Sequence, residues 1–186
     1  PVRPRFARSA TPGLGEARPR TRDLPLEGLF AWQPLPTLRL SGGINWLTSG
    51  LHQFIDLSQF ARIGRFSDRQ RSLGLFSEGE WHPAPRVTLV VGVRYQHDTQ
   101  RRMGLLTKPD GPAPINYNGA FTAWLPKASL AYAFSDGLTA GLLVQKAYNA
   151  GGATLTLLGF TDTFAAETLW AYEVFACGSL AGGRFR

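Results

Sequence analysis

Two acidic side chains, Glu78 and Glu80, are the first candidates for catalytic chemistry in this sequence. Paired carboxyl groups can divide the roles of general acid and general base, as they do in glycoside hydrolases. In an extended strand these two side chains share a face, because residues two positions apart point the same way. The same spacing is typical of a solvated strand face, and we favour water-facing carboxylates over a catalytic pair.

The histidines and the single cysteine form no metal or nucleophile motif. His52, His82 and His97 are far apart, and the adjacent pair His97 and Asp98 would point to opposite faces of a strand. Cys177 is the only cysteine, which excludes an intrachain disulfide and a thiolate metal site. The sequence also lacks the nucleophile-elbow, zinc-protease, P-loop and dinucleotide-binding motifs. We therefore predict no catalytic residue, no metal site, no cofactor and no enzyme activity.

The formal net charge of +7 would suit a nucleic acid or another polyanion as partner. Much of this charge lies in one segment, because six arginines and four prolines fall within residues 1–23. A segment so basic and so poor in apolar residues is typical of disorder. We predict a disordered tail over residues 1–25. An alternative is a soluble, basic, β-rich module that uses this arm to bind nucleic acid or another polyanion.

Composition and periodicity predict an all-β chain. Hydrophobic residues make up 44% of the sequence and aromatic residues 12%, and its 21 glycines suit turns. The segment RVTLVVGVRYQHD at 86–98 alternates, and its apolar face is formed by Val87, Leu89, Val91, Val93 and Tyr95. The sequence lacks an apolar run of the roughly 20 residues that a membrane-spanning helix needs, but a transmembrane barrel strand needs only about 10 alternating residues. A half-buried sheet and a barrel wall both fit this pattern.

The alternation predicts seven strands, at about 26–33, 36–47, 70–81, 87–97, 123–134, 138–148 and 167–176. Tight turns rich in Pro and Gly are predicted at 82–86 and 135–137. Long loops are predicted at 48–69, 98–122 and 149–166. Short turns at one edge and long loops at the other are typical of outer-membrane barrels, as are aromatic residues near the strand ends.

Three segments carry a resemblance to a known family. Residues 70–98 resemble the strand, short turn and strand ending in G-[LV]-R-Y of TonB-dependent outer-membrane receptors: QRSLGLFSEGEWHPAPRVTLVVGVRYQHD. Residues 124–152 are similar to the LPK-x-x-L-x-Y segment of the same family: WLPKASLAYAFSDGLTAGLLVQKAYNAGG. Residues 167–174, ETLWAYEV, are similar to its later E-x-x-x-x-Y-E stretch. The segments follow one another in the family's order, so the chain resembles a part of the receptors' C-terminal β-barrel.

The resemblance implies an antiparallel up-and-down transmembrane barrel of about 22 strands. This chain would supply roughly seven of them, as an open or incomplete barrel. We expect three regions: the tail at 1–25, a partial barrel at 26–176, and an irregular end at 177–186 that departs from the family pattern. No segment resembles the plug domain or the TonB-contacting box. We therefore expect a receptor fragment that does not insert alone, because its open edges leave backbone groups unpaired.

The resemblance also implies energy-coupled import of a scarce nutrient, such as a ferric siderophore, across the outer membrane of a Gram-negative cell. The expected partners are outer-membrane lipid, the TonB complex through a plug domain absent from this chain, and a small iron chelate, with no nucleic acid. Loop residues that could bind an anionic chelate are Arg101, Arg102, Lys108, Asn116, Tyr117 and Asn118. Residues expected to face the barrel lumen are Glu78, Glu80, Arg94, Lys127, Gln145 and Glu173.

Overall fold

The computed structural model describes residues 5–6, 9–11, 15–156 and 160–178. In chain order the strands are β1 (Arg5–Phe6), β2 (Ser9–Thr11), β3 (Gly15–Leu35), β4 (Leu38–Leu57), β5 (Arg62–Ala84), β6 (Val87–Thr107), β7 (Ala113–Ser135), β8 (Leu138–Asn149), β9 (Gly152–Leu155), β10 (Thr161–Phe164) and β11 (Glu167–Gly178). One turn of 3-10 helix, Ser58–Phe60, connects β4 to β5. Among these residues, no helix has the length and apolar character to span a membrane.

The seven long strands form one antiparallel, up-and-down sheet. Strands β3 to β8 pair in sequence order, and β11 pairs with β8. Strands β1 and β2 both pair with β3, while β9 and β10 form a separate hairpin. Within the described ranges β3 and β11 do not pair with each other, so the sheet is open. The prediction of an all-β, antiparallel, open sheet of about seven strands is confirmed.

Three two-residue turns lie at one end of the sheet, which we call the turn end. They connect β3 to β4, β5 to β6 and β7 to β8, and a register shift precedes each of them. Backbone hydrogen bonds support the first two turns, from His82 N to Thr37 O and from Ala133 N to Arg86 O, each 2.8 Å long. The turns predicted within 82–86 and 135–137 are therefore confirmed. We call the opposite end of the sheet the far end.

Two of the three predicted long loops are wrong. Residues 48–57 belong to β4 and 62–69 to β5, while 98–107 belong to β6 and 113–122 to β7. The connections that remain are only 58–61 and 108–112. These strand extensions escaped prediction because polar and apolar residues are mixed on both faces, so the regular alternation of apolar and polar residues ends while backbone pairing continues. Only 149–166 remains a long connection, and it contains the β9–β10 hairpin.

Parts of the predicted tail and of the predicted irregular end belong to the sheet, including β1 and β2, which pair with β3. Residues 15–25 lie in β3 and pair with β4, so the disordered tail is corrected over that segment. Arg18, Arg20 and Arg22 are spaced two residues apart, as on one face of a strand. The high charge of the segment nevertheless favoured the prediction of disorder. At the other end, Cys177 and Gly178 belong to β11. Residues 1–4, 7–8, 12–14 and 179–186 lie outside the described part of the chain.

The strand registers place all five tryptophans on one face of the sheet, which we call the Trp face. Towards the turn end this face is an exposed apolar band that runs across all seven long strands. Aromatic residues border the band on both sides, with Trp32, Trp81 and Phe134 at the turn end and Trp46, Tyr95, Trp124 and Trp170 towards the far end. A soluble module would pack such a band against a second apolar layer, and the described residues provide none.

The opposite face, which we call the polar face, carries a small core at the far end. Phe66, Leu106, Ala113 and Ile115 are buried there together with Ala153 from β9. Ile55 and Tyr117 pack against this cluster. The β9–β10 hairpin therefore covers part of the polar face. Much of the rest of that face carries hydrogen-bonding side chains, above all along β5 and β6.

Candidate ligand-binding face

The six residues that the sequence assigned to the lumen all lie on the polar face. In an antiparallel sheet, directly paired residues project to the same side. Glu78 and Lys127 both pair with Gly92, and Gln145 pairs with Lys127. The same alternation along β5, β6 and β11 places the remaining three, Glu80, Arg94 and Glu173, on the polar face.

An ion pair crosses β6 at Gly92. Lys127 on β7 donates to Glu78 on β5 at 2.8 Å, although a whole strand separates them. A Cβ at Gly92 would lie 3.2 Å from Ser77 O and 3.4 Å from Glu78 Cβ, so the glycine leaves the space over which the lysine reaches. Both side chains are more than one-third exposed, so solvent screening reduces what this pair contributes to stability.

A second glycine gap lies at Gly74 on β5. Arg94 on β6 donates from Nη2 to Oδ1 of Asn45 on β4 at 2.9 Å, and its guanidinium lies above Gly74. A Cβ at Gly74 would lie 2.8 Å from Arg94 Cζ and would also collide with the Asn45 amide oxygen. The absence of a side chain on β5 is therefore what allows β4 and β6 to be joined by a hydrogen bond.

Gln96 lies at the centre of the network on the polar face. Its Oε1 accepts from Arg94 Nε at 2.9 Å and from Nη2 at 2.8 Å. Its Nε2 donates to Ser72 Oγ at 2.7 Å and to Asp98 Oδ1 at 2.8 Å. With only 7% of its surface exposed, Gln96 has both ends of its amide satisfied, as a buried amide requires. Asp98 is thereby held on the far-end side of the network.

Beneath the hairpin, the polar face holds two buried polar atoms without partners in the described structure. Asp68 accepts from Gln100 Nε2 at 2.9 Å through Oδ2, while its Oδ1 has no hydrogen-bond partner. Arg102 donates from Nη1 to Ala153 O at 3.2 Å and lies over the Phe66 ring, 5.8 Å from its centroid, while its Nε has no partner. A buried donor and a buried acceptor of opposite charge thus remain available for further hydrogen bonds.

A cavity of about 520 Å³ opens beside this group. Its lining includes Ser72, Asp98 and Gln100 from the polar face, Phe121 from β7, and Asn149 at the end of β8. The backbone at 150–151 and Phe164 of the hairpin close one side. The volume lies within the range of about 300–1,000 Å³ typical of small-molecule sites. The cavity combines hydrogen-bonding groups with two aromatic rings.

The six predicted ligand-binding residues do not lie together. Arg102 and Tyr117 are on the polar face, whereas Arg101, Asn116 and Asn118 are on the Trp face. These five residues are in strands rather than in a loop, and only Lys108 lies in a connection. Lys108 donates to Asp110 at 2.6 Å, and this hydrogen bond holds the pKa of the Asp110 carboxyl below its ordinary value.

The groups considered for catalysis are engaged in separate contacts. Glu80 lies 3.0 Å from His82 Nε2, and Glu78 is paired with Lys127, so the two carboxylates have different partners. His97 Nδ1 lies 3.0 Å from Thr122 Oγ1, whereas the neighbouring Asp98 accepts from Gln96 on the other face. In the described part of the chain, no three His, Cys, Asp or Glu side chains gather as a metal site.

Comparison with known protein families identifies the family of this chain. Residues 9–181 match the family described as TonB dependent receptor-like, beta-barrel. The chain belongs to this receptor family. Comparison with curated protein sequences gives no significant match.

Two solved structures share the fold of this receptor-family chain. The ferric yersiniabactin uptake receptor FyuA from Yersinia pestis is similar over 90% of the chain, with a TM-score of 0.79 and 18% identity. The alcaligin outer membrane receptor FauA from Bordetella pertussis is similar over 91%, with a TM-score of 0.54 and 18% identity. In each case the chain spans 27% of the solved protein.

Most residues of the polar network in this receptor segment were not predicted from the sequence. Asn45, Asp68, Ser72, Gln96 and Gln100 were not named as site residues, although the structure joins them across three strands. A signal was present, because alternate residues of β6 from Arg94 to Arg102 are all polar. That run falls mostly beyond residue 97, where the predicted strand ended.

Proposed function

We propose that this chain forms part of the wall of an outer-membrane receptor that imports a scarce nutrient, such as a ferric siderophore, by energy-coupled transport. The observation that carries the proposal is the cavity of about 520 Å³ on the polar face of a TonB-dependent receptor-like sheet. The role is transport rather than catalysis. Force from the TonB complex would reach the ligand through a plug domain outside these residues.

In this proposal the Trp face contacts lipid and the polar face lines the lumen. From Val87 to Tyr95 the apolar band spans eight residue steps, or about 26 Å along the strand and about 20 Å across the bilayer at a tilt of about 40°. The apolar band of outer-membrane barrels is about 25 Å tall and is bordered by aromatic girdles. The exposed band and its aromatic borders support this orientation, which gives Glu78, Glu80, Arg94, Lys127, Gln145 and Glu173 the lumen side.

The ligand site is proposed at the far end of the polar face. Asp98 and Gln100 supply an acceptor and an amide beside the cavity, and Phe121 supplies an aromatic wall. Arg102 and Tyr117 project from the same face, so of the six residues first predicted these two remain the best placed. An anionic ferric chelate suits Arg102, whose Nε lacks a partner among the described residues. The name of the relative FyuA, a ferric yersiniabactin uptake receptor, supports this ligand class.

The test is uptake of radiolabelled iron by cells that depend on the full-length receptor containing this segment. A panel of ferric chelates is supplied to cells with the unaltered gene, with Gln100→Leu, or with the control Glu80→Gln at the turn end. We expect one chelate to be imported, with uptake reduced at least tenfold by Gln100→Leu and less than twofold by the control. Import of no chelate in the panel, or an equal loss in both variants at equal surface expression, would contradict the proposal.

A further inference from the structure

Seven arginines form a second feature of the Trp face, beyond the apolar band and towards the far end. We call this set the arginine belt: Arg18, Arg20, Arg22, Arg65, Arg69, Arg71 and Arg101. All seven side chains are exposed. Their side chains take no part in the polar network, because the registers place them on the opposite face, although the Arg71 position also borders the cavity.

One row of the belt crosses four strands. Arg22 pairs with Gly50, Gly50 with Arg69, and Arg69 with Arg101. Arg69 and Arg101 are therefore direct cross-strand neighbours of like charge, an arrangement that destabilises a sheet unless an anion lies between them. No hydrogen bond or ion pair of the described residues involves the side chains of Arg22, Arg69 or Arg101.

The nearby carboxylates do not neutralise this row. Asp23, Asp68 and Asp98 project to the polar face, where they bond to Ser49 at 2.6 Å, Gln100 at 2.9 Å and Gln96 at 2.8 Å. On the Trp face, the described acidic residues of these strands are Glu16 and Asp56, which are cross-strand neighbours at the extreme far end. There Glu16 accepts from Arg18 at 2.7 Å, away from the Arg22 row. The middle of the belt is therefore a surface of positive charge that an external anion can occupy.

A depression of about 600 Å³ lies within the row at Gly50. Arg22, Arg69, His52 and Thr48 line it, and the glycine contributes no side chain to fill it. Asp68 also borders the depression, but its side chain projects to the polar face, where it accepts from Gln100 at 2.9 Å. The Thr48 hydroxyl is buried and lacks a hydrogen-bond partner among the described residues. Two guanidinium groups, an imidazole and a free hydroxyl around one concavity provide the donors that a phosphate group needs.

We propose that the arginine belt binds the phosphate groups of anionic lipid headgroups, with one phosphate in the depression at Gly50. The proposal rests on the placement of the Trp face in lipid. The Arg22 row lies four residue steps beyond Trp46, about 13 Å along the strand, and therefore just outside the aromatic border. At this distance from the aromatic border the row lies at the level of the lipid headgroups. The rest of the belt extends across neighbouring strands on the same face as the apolar band. A lipid explains both the position and the charge of the belt, whereas a soluble polyanion explains the charge alone.

The experiment measures lipid binding to the full-length receptor in neutral detergent by native mass spectrometry. The ligands are bisphosphorylated lipid A, its dephosphorylated form and phosphatidylcholine, with inorganic phosphate and heparin as competitors. We expect lipid A to bind at least tenfold more tightly than either uncharged or zwitterionic lipid. An arginine beside an anionic surface contributes about fivefold in affinity, so Arg22→Gln with Arg69→Gln should weaken lipid A binding about 30-fold. The control, Arg39→Gln with Arg86→Gln at the turn end, removes the same charge and should change affinity less than twofold.

A second variant tests the depression without changing the charge. A Cβ at Gly50 would have only Arg22 O within reach, at 4.0 Å, so Gly50→Leu should fold normally. Because the leucine fills the concavity, we expect it to weaken lipid A binding at least tenfold, with an unchanged circular dichroism spectrum. Equal losses in the belt and control variants, equal binding of dephosphorylated lipid, or displacement by millimolar phosphate would overturn the proposal. The proposal would also be overturned if the belt variant no longer bound heparin but still bound lipid A with unchanged affinity. Failure to bind any of the three lipids would instead contradict the membrane placement of the Trp face.

Discussion

The glycine gap at Gly74 yields the sharpest prediction about stability. Replacing it with valine puts a branched side chain where the Arg94 guanidinium lies, 2.8 Å from the new Cβ, and displaces that guanidinium from Asn45. A hydrogen bond from a charged group contributes about 1.5–3 kcal/mol, and overpacking costs about 1–3 kcal/mol. We expect Gly74→Val to lower the free energy of unfolding by about 3–5 kcal/mol.

Gly79 provides the matched control, on the same strand but on the Trp face. A Cβ there would meet only Leu40 Cδ2 at 3.4 Å, an ordinary contact, so Gly79→Val should change the free energy of unfolding by less than about 1 kcal/mol. The assay is urea unfolding of the full-length receptor in detergent, followed by tryptophan fluorescence. The double variant Gly74→Val/Arg94→Ala lacks the guanidinium that the valine would displace. Its loss of unfolding free energy should therefore be smaller than the sum of the losses in the two single variants. Equal destabilisation by the two valines, or strict additivity with Arg94→Ala, would refute the reasoning.

Three further predictions concern other parts of the sheet. Lys127→Met should lower the free energy of unfolding by only about 0–1 kcal/mol, because its pair with Glu78 is partly exposed, and a larger loss in the same urea assay would show that solvent does not screen it. Ile115→Ala should cost about 2–5 kcal/mol and speed hydrogen exchange in β6 and β7, since the side chain is 2% exposed; unchanged exchange would mean that the core does not hold the far end. Lys108→Met should raise the pKa of Asp110 towards its ordinary value in a carboxyl NMR titration, and an unchanged pKa would contradict the pairing. Because the native pKa is lowered, this pair stabilises the connection above the ordinary aspartate pKa, and the effect is lost as the pH falls through the lowered value.

The sequence alone determined the class of the fold and the family. Alternation in 86–98 and the turn residues at 82–86 and 135–137 predicted antiparallel strands, because side-chain direction in a strand depends only on position along the chain. The same alternation assigned Glu78, Arg94 and Lys127 to one face, and the registers agree. The family segments at 70–98 and 124–152 fall within the range that matches the receptor family.

Only the tertiary structure decided how far the strands extend and which side chains meet. Residues 48–57 and 98–107 carry polar groups on both faces, and their strands exist because neighbouring strands supply backbone hydrogen bonds, which the local sequence pattern does not record. Register likewise brought Arg94 to Asn45, 49 residues away, and placed Arg22, Arg69 and Arg101 in one row. Contacts of this kind depend on how strands align with one another. For that reason the polar network, its cavity and the arginine belt could be identified only from the folded sheet.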